Sequence, residues 1–432
     1  MSYKRAASGV IKSRDDIDDY HLYGINFKKG NVLYTLIPEL ALLFLNKNNS
    51  PIIVDPKSYW NLVDKIDSYK KNLIKNPFSA VAIVTTGKCF GQCDYCYAKN
   101  GKNITEYITP EIFDKACELN GIKGIDHTII YGGEPLIEID KFQTLMDHLI
   151  NKWKVSKSRI GTGLFINDKT FSRLIELISL YKDKIRIFVS IDPKGDGYLR
   201  KYTGDTYSFL IERICKLLEY TDVSIRTTLN STSGSPIDLI NEIEFRTGKR
   251  VQTCIELMTT GEERFILSED KLQNLKSDLT NYLSKLTEFN QNTVPDPIWK
   301  TYNSKNIFDA MKHCSLGSRT LSIEPDGGTT ACSNEVLLGA DKIFDKDVEK
   351  TYKNIFELNK DPCKKCDYKM VCGKMCHDTI NAKDFEYSQS MFCDYHIFCL
   401  VEGLKLIILN KSHEEIQNIC NESQKFLGLS LI

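Results

Sequence analysis

Apolar and polar residues alternate with two different periods along the middle of the chain. Short runs rich in β-branched and aromatic residues alternate with longer stretches of helical spacing, such as Pro110–Leu119 and Asp140–Lys152. The runs predicted as strands are Ala80–Thr86, His127–Gly133, Arg159–Phe165, Ile185–Asp192, Val223–Asn230 and Val251–Met258. Six strand–helix units of this kind predict an α/β fold, in which a parallel sheet has helices outside it.

Such a sheet is either open and doubly wound or curved into a partial (β/α) barrel. In both architectures the functional residues gather at the carboxyl ends of the strands. The residues that directly follow each predicted strand are therefore the candidates for a functional site.

The regions on either side of this block have different patterns. Residues 1–78 predict a small α+β module, with apolar runs at Leu22–Phe27 and Asn31–Leu36 and helical patterns at Pro38–Leu45 and Tyr59–Ile74. Residues 79–290 form the strand–helix block, and residues 291–400 include a segment rich in cysteines and turns, Cys314–Cys393. An apolar helix is predicted at Phe398–Leu409. The last region, residues 401–432, contains most of this helix and the polar tail that follows it.

Composition narrows the choice of partners and compartment. The 432 residues are 42% apolar, and 57 basic residues balance 57 acidic ones, so net charge favours neither nucleic acid nor an anionic membrane as a partner. Met1–Asp16 lacks the apolar core of a signal peptide, and charges interrupt the longest apolar stretches. A cytoplasmic location is expected, where fifteen cysteines serve metals or catalysis rather than disulfides.

Three cysteines stand close together directly after the first predicted strand. Cys89, Cys93 and Cys96 have the spacing C-x3-C-x2-C. Three thiolates suit a [4Fe–4S] cluster in which one iron has no protein ligand and can bind a cofactor. The alternative is a zinc site, which needs a fourth ligand and more often uses C-x2-C pairs.

This motif, with the aromatic Tyr95 before its last cysteine, resembles that of the radical S-adenosylmethionine (SAM) superfamily. The resemblance implies the partial (β/α)6 barrel of that superfamily. It also implies that the amine and carboxylate of SAM chelate the open iron, that Tyr95 lies near the adenine, and that an electron splits SAM to give a 5′-deoxyadenosyl radical. The cofactor then carries the difficult chemistry.

The second predicted strand ends in Tyr-Gly-Gly-Glu-Pro. Gly132 and Gly133 allow a close backbone approach, and the Glu134 carboxylate can accept hydrogen bonds from an ammonium group. Taken alone, the motif would be read as a plain turn. After the cysteine motif it is similar to the superfamily's site for the methionine amine, so the resemblance assigns these three residues to SAM binding.

Later strands supply further candidates. By resemblance, Ser190 at the end of the fourth strand faces the SAM ribose, whereas Asp192 is either functional or a turn-forming cap. Arg226 in the fifth strand either contacts the SAM carboxylate or forms an ordinary ion pair. The resemblance identifies no catalytic acid or base.

The C-terminal cysteines resemble those of the SPASM domain, a twitch-type extension that holds two auxiliary [4Fe–4S] clusters. By their positions in the SPASM motif, the resemblance implies that the ligands of the outer cluster are Cys363, Cys366, Cys372 and Cys393. Those of the inner cluster are Cys314, Cys332 and Cys376. Relatives with a fully ligated inner cluster often have a cysteine where this chain has Phe308, so that cluster has an open iron unless Cys399 or His313 completes it. The remaining cysteines, Cys117, Cys215, Cys254 and Cys420, lie in helical or strand patterns and are predicted to be structural.

The resemblance implies three clusters, SAM, a reducing partner such as flavodoxin or ferredoxin, and a precursor peptide with a leader as substrate. Residues 1–78 resemble in outline a winged-helix element that captures a leader by β-augmentation. Ser333 stands where sulfatase maturases have a catalytic carboxylate, so peptide crosslinking, with a thioether favoured, is the expected reaction. The alternatives are a carbon–carbon crosslink, formylglycine formation, a small-molecule dehydrogenase, and a non-enzymatic electron carrier or zinc scaffold.

Overall fold

The computed structural model describes the chain from its N-terminal strands to its last helix, with gaps. The described residues are 20–22, 25–29, 32–37, 42–46, 52–54, 80–96, 104–258, 263–305, 320–330 and 385–426. They include the predicted strand–helix block almost completely.

Two small antiparallel sheets form the described part of the N-terminal region. Their strands are β1 (Tyr20–Leu22), β2 (Ile25–Lys29), β3 (Val32–Ile37), β4 (Leu42–Asn46) and β5 (Ile52–Val54). β3 lies between β2 and β4, and β1 pairs with β5. The predicted helix at Pro38–Leu45 is wrong from Leu42 onward, because this apolar run pairs with β3 instead. The predicted helix at Tyr59–Ile74 lies outside the described residues.

Six parallel strands alternate with helices in the central block. The strands are β6 (Ala80–Val84), β7 (His127–Tyr131), β8 (Lys157–Thr162), β9 (Ile185–Ser190), β10 (Val223–Leu229) and β11 (Gln252–Leu257). The helices after β6 to β10 are α1 (Pro110–Leu119), α2 (Ile139–Asn151), α3 (Asp168–Leu180), α4 (Thr206–Leu218) and α5 (Pro236–Thr247). The predicted alternation of six parallel strands with helices is therefore confirmed.

The strands end earlier than their apolar runs predict. β6 ends at Val84 and β7 at Tyr131, so Thr85, Thr86 and the two glycines after β7 leave the sheet. Local capping starts the helices that return the chain to the other end of the sheet. Thr109 caps α1 by accepting a hydrogen bond from Ile112 N at 3.4 Å, and Pro110 occupies the first turn. The residues freed at the strand ends form the candidate site.

One face of the sheet is apolar, and α1 to α5 cover it. Its side chains alternate along each strand with those of the opposite face. The fully buried residues on this face include Val81, Ile83, Ile130, Ile160, Ile187 and Ile225. The helices bury Phe113, Phe142, Leu145, Leu174 and Leu210 in the same core. Burying these side chains is the main force that holds the block together.

The opposite face of the sheet has polar side chains in register on neighbouring strands. Arg159 on β8 pairs with Arg186 on β9, and Ser190 at the end of β9 pairs with Arg226 on β10. Arg159 and Arg226 are exposed, and Arg186 is partly exposed. We call these four residues, together with Glu256 on β11, the polar face. Parallel sheets are usually covered on both sides, whereas Arg159 and Arg226 on this face remain exposed.

The sheet continues past β6 through two strands from the C-terminal part of the chain. After α6 (Glu269–Ser284) and α7 (Ile298–Tyr302), β12 (Thr320–Ile323) pairs in parallel with β6, and β13 (Thr329–Thr330) pairs antiparallel with β12. The strand order is β11-β10-β9-β8-β7-β6-β12-β13. The strand that carries the cysteine loop thus lies inside the sheet and not at its edge.

Two helices complete the described chain, and their positions correct the sequence prediction. α8 (Phe385–Asn410) begins before Cys393, so the cysteine-rich segment ends on a helix, and the predicted polar tail forms α9 (His413–Phe426). α8 packs on α7 and α6, where Tyr395 and Phe398 are buried. α9 lies against β4, and α8 against β2, so the last two helices contact the N-terminal strands. In the described residues, none of the helices combines the length and apolar character that crossing a bilayer requires.

Candidate functional site

The three cysteines of the first motif lie in the loop that follows β6, at the carboxyl end of the sheet. Backbone hydrogen bonds hold this loop to the segment after β9: Gln92 N donates to Lys201 O at 2.7 Å, and Asp94 N donates to Leu199 O at 2.9 Å. Asp94 also pairs with the Lys201 ammonium at 2.7 Å. Segments separated by about one hundred residues in the sequence therefore form a single rigid edge around the cysteines.

The thiols of this loop are partly buried. Burial, followed by the nearby Glu134 carboxylate, raises the pKa of the Cys89 thiol to about 12. Burial also raises the pKa of Cys93, and the positive charge of Arg200 opposes that rise. Without a metal the Cys89 and Cys93 thiols are protonated near neutral pH, so metal binding must displace their protons.

The donor set fits the implied iron–sulfur cluster. Cys89, Cys93 and Cys96 form no disulfide, so all three sulfurs are available as ligands. Gly91 N donates a hydrogen bond to Cys89 Sγ at 3.3 Å, and such bonds to ligating sulfur help to set the potential of iron–sulfur clusters. Among the described residues, no group of three or more His, Cys, Asp or Glu side chains is arranged to hold a single metal ion.

The two glycines after β7 bring the next loop against the cysteine loop. Gly132 has φ 154°, and a Cβ there would lie 2.4 Å from Thr86 O. A Cβ on Gly133 would lie 2.4 Å from Gly87 O, and Gly133 N donates to Thr86 O at 2.8 Å. Both positions require glycine because the chain's own backbone occupies the space of a side chain. The close approach predicted from the sequence is thus made between two loops of the protein.

Glu134 is fully buried and lies at the centre of this arrangement. Its Oε1 accepts hydrogen bonds from Thr162 Oγ1 at 2.7 Å and Leu136 N at 3.3 Å. Its Oε2 accepts from Gly163 N at 3.0 Å and Phe165 N at 3.3 Å. Burial raises the pKa of the Glu134 carboxyl above its ordinary value, and these hydrogen bonds oppose the rise. The carboxylate therefore joins the loop after β7 to the end of β8, and its contact with a SAM amine stays a prediction.

A second buried carboxylate joins the cysteine loop to β9 and β10. Asp192 Oδ2 accepts a hydrogen bond from the Tyr95 hydroxyl and pairs with Arg200 Nε at 3.1 Å, and its Oδ1 accepts from Thr228 N at 3.1 Å. Arg200 also lies over the Tyr95 ring, 5.4 Å from its centroid. Burial is the largest single effect on Arg200 and disfavours its charge, but Asp192 and the weaker effects of neighbouring groups together hold the pKa of Arg200 well above its ordinary value.

The two remaining SAM candidates occupy neighbouring strands. Ser190 is partly buried at the end of β9, in register with Arg226. Arg226 Nη2 pairs with Glu256 Oε1 at 2.9 Å, and both side chains are about half exposed. The ion-pair interpretation of Arg226 is therefore the one that the geometry supports.

Sequence reasoning missed two functional contacts. The sequence gave no role to Thr162, whose hydroxyl donates to Glu134. It also gave no role to Arg200, which pairs with Asp192. The signal for Arg200 was its place shortly after Asp192, since a buried carboxylate needs a cation or several donors. Nothing in the sequence indicated that Thr162 would face Glu134, because that contact depends on the register of β7 and β8.

Asp192→Ala is expected to lower the free energy of unfolding by about 3–5 kcal/mol, because it leaves the buried Arg200 charge without its partner. Urea denaturation followed by circular dichroism measures the loss. The control is Asp94→Ala, which removes the exposed ion pair to Lys201 between the same two segments and is expected to cost about 0–1 kcal/mol. Equal losses in the two variants would contradict the buried role of Asp192.

The other predicted metal ligands lie mainly outside the described residues. These are Cys314, Cys332, Cys363, Cys366, Cys372 and Cys376. Cys393 is partly buried on α8. Cys399 on α8, the alternative ligand of the inner cluster, is 1% exposed and packs in the apolar core that α8 shares with β11. Cys117 and Cys420 are buried as predicted, whereas Cys215 and Cys254 are partly buried.

Solved structures with the same fold are known. The chain is similar to anSMEcpe with bound AdoMet, that is, SAM, with a TM-score of 0.54 and 15% identity over 81% of this chain and 99% of that one. It is also similar to anSMEcpe with AdoMet and Cp18Cys peptide, with a TM-score of 0.53 and 15% identity over 76% and 98% of the two chains. SuiB of Streptococcus suis bound to the precursor peptide SuiA gives a TM-score of 0.50 and 15% identity over 77% and 80%.

Comparison with protein-family models and with curated protein sequences gives no match. The likeness in structure, at low sequence identity, shows the fold. It confirms the predicted α/β fold, with an open sheet that is consistent with a partial barrel.

Proposed function

We propose that this chain is a radical SAM enzyme that modifies a peptide. The observation that carries the proposal is the convergence of three loops at the carboxyl ends of β6, β7 and β9. The first holds Cys89, Cys93 and Cys96, the second holds Glu134, and the third holds Asp192. The AdoMet bound in anSMEcpe, which has the same fold, supports SAM as the cofactor.

The cysteine loop would hold the cluster through its three thiolates and leave one iron for SAM. Bound SAM, with a reduced cluster, supplies the 5′-deoxyadenosyl radical. The protein fixes the loop in place through the hydrogen bonds to residues 199–201 and through Tyr95, whose hydroxyl donates to Asp192 and whose ring contacts Arg200. A preorganised loop of this kind limits the motion of the reacting groups, which is a large part of what a protein adds to cofactor chemistry.

Six residues are proposed to contact SAM. Tyr95 would lie beside the adenine, with its ring orientation fixed by Asp192. The backbone at Gly132 and Gly133, together with the negative charge of Glu134, would attract the ammonium, and Ser190 would face the ribose. Arg226 is the weakest member of the set, because Glu256 already neutralises it.

A peptide substrate is supported by the precursor peptide SuiA bound in SuiB and by the peptide bound in anSMEcpe. The N-terminal sheet offers a way to bind a leader, since β2 and β4 flank β3 in a three-stranded antiparallel sheet. An extended peptide can pair with such a sheet and gain affinity from backbone hydrogen bonds. We propose that residues 1–78 bind the leader and that residues 291–400 hold the two auxiliary clusters.

The favoured reaction is a thioether crosslink. Phe308 at the usual position of a fourth ligand leaves the inner auxiliary cluster able to bind a substrate thiolate, and Ser333 replaces the maturase carboxylate. The 5′-deoxyadenosyl radical would take a hydrogen atom from a substrate carbon, and a thiolate held near that carbon would form the C–S bond by proximity. The electron released as this bond forms would pass to the inner auxiliary cluster. A carbon–carbon crosslink is the second candidate. A flavodoxin or ferredoxin of the cytoplasm would supply the electron.

Mass spectrometry of the modified partner peptide tests the reaction. Both kinds of crosslink remove two hydrogens, about 2 Da, but only a thioether consumes a cysteine thiol. We expect the product to have lost about 2 Da and one alkylatable thiol. A product that lost the same mass while every thiol still reacts with iodoacetamide would exclude the thioether and favour the carbon–carbon link.

A further inference from the structure

The polar face of the sheet carries two arginines that the proposed SAM site does not use. Arg159 on β8 and Arg186 on β9 are paired in the parallel register. Paired residues on adjacent strands share a face, and neighbouring strands lie about 5 Å apart. Like charges in this arrangement destabilise a sheet unless a counter-charge joins them.

In the described part of the chain, neither arginine forms an ion pair with a carboxylate. Arg186 Nη2 donates to Gln252 Oε1 at 2.8 Å, while Arg186 Nε is buried without a hydrogen-bond partner. Partial burial and then the charge of Arg186 lower the pKa of Arg159. Arg226 on the same face is different, because Glu256 neutralises it. The positive charge of the polar face is therefore concentrated at Arg159 and Arg186.

The pair also lies within reach of an extended peptide that is bound at the carboxyl end of the sheet. Arg186 and Ser190 lie on the same face of β9, four residues apart, which is about 13 Å at the usual rise of a strand. An extended peptide covers this distance in about four residues. A substrate residue held near the cysteine loop would thus bring a side chain several positions away over the two arginines.

We propose that Arg159 and Arg186 form a carboxylate-binding site that holds an acidic side chain of the peptide substrate. The identity of the ligand as a peptide rests on the proposed function. The guanidinium fork matches a carboxylate in a bidentate geometry, and two adjacent forks offer more donors than one carboxylate can use. An acidic residue of the peptide, about four positions from the modified residue, would supply the negative charge that Arg159 and Arg186 lack.

Fluorescence anisotropy with fluorescein-labelled hexaglutamate tests the site. We expect saturable binding that weakens with salt, no such binding of labelled hexalysine, and affinity at least about tenfold lower in Arg159→Gln and in Arg186→Gln. Arg173→Gln is the matched control, because it removes an equal charge from the outer surface of α3, where Arg173 pairs with Glu176. This variant should bind hexaglutamate with the affinity of the wild type. Hexaglutamate binding that is absent in the wild type, or unchanged in both polar-face variants, would overturn the inference.

Circular dichroism checks that the variants fold. Arg159→Lys and Arg186→Lys keep the charge and lose the fork, so they should bind hexaglutamate less tightly than the wild type and more tightly than the glutamine variants. These variants keep the test decisive if a glutamine variant unfolds. Reductive SAM cleavage by the wild type is measured separately. Hexaglutamate binding without cleavage would refute the proposed function alone, and cleavage without binding would refute this site alone.

Discussion

Replacing Cys89, Cys93 and Cys96 together with alanine is expected to abolish 5′-deoxyadenosine formation. The three cysteine motifs imply three [4Fe–4S] clusters and about twelve irons per reconstituted chain, of which the variant should lose about four. The remaining irons would belong to the auxiliary clusters, whose predicted ligands lie elsewhere in the chain. Iron analysis and chromatography of the SAM products with dithionite as reductant measure both effects.

Cys215→Ala provides the matched control for this variant. Cys215 is a partly buried cysteine on α4, and it belongs to none of the predicted cluster motifs. Its replacement should leave both the iron content and SAM cleavage unchanged. A triple variant that still produces 5′-deoxyadenosine would show that the first cluster has been assigned to the wrong cysteines.

Glu134→Ala is expected to weaken SAM binding by about tenfold to a hundredfold and also to destabilise the fold. The affinity loss follows from removing a negative charge near the SAM ammonium, since a charge-assisted hydrogen bond contributes about 1.5–3 kcal/mol. The loss of stability follows from the structure: four donors at the ends of β7 and β8 lose their acceptor, and each buried donor left unsatisfied costs about 1–3 kcal/mol. Equilibrium dialysis with SAM and urea denaturation measure the two effects, and the cluster content should be unchanged.

Glu138→Ala separates these effects from a general loss of negative charge. Glu138 lies four residues further along, is 25% exposed, and pairs with Lys88 and Lys141 on the surface. Its replacement should change stability by about 0–1 kcal/mol and leave SAM affinity near that of the wild type. If Glu134→Ala loses stability but keeps its SAM affinity, Glu134 positions the loop without contacting the cofactor.

The sequence predicted the central fold well because its signals are local. The alternation of β-branched runs with helical spacing gave six strands in the right order, and the helical pattern predicted at Pro110–Leu119 coincides with α1. The same reasoning failed at Leu42–Asn46, where an apolar run fits either a helix or a strand. Pairing with β3 decided between them, and that pairing is a contact between separate segments.

The sequence by itself determined which residues are able to carry the chemistry: the cysteine spacing, the two glycines before Glu134 and the positions of both motifs after strands. Only the tertiary structure decided what these residues contact. It joined Glu134 to Thr162, joined Asp192 to Tyr95 and placed Arg159 beside Arg186. The reason is physical, since spacing along the chain fixes local geometry, whereas the register between strands and the burial of charge depend on segments far apart in the sequence.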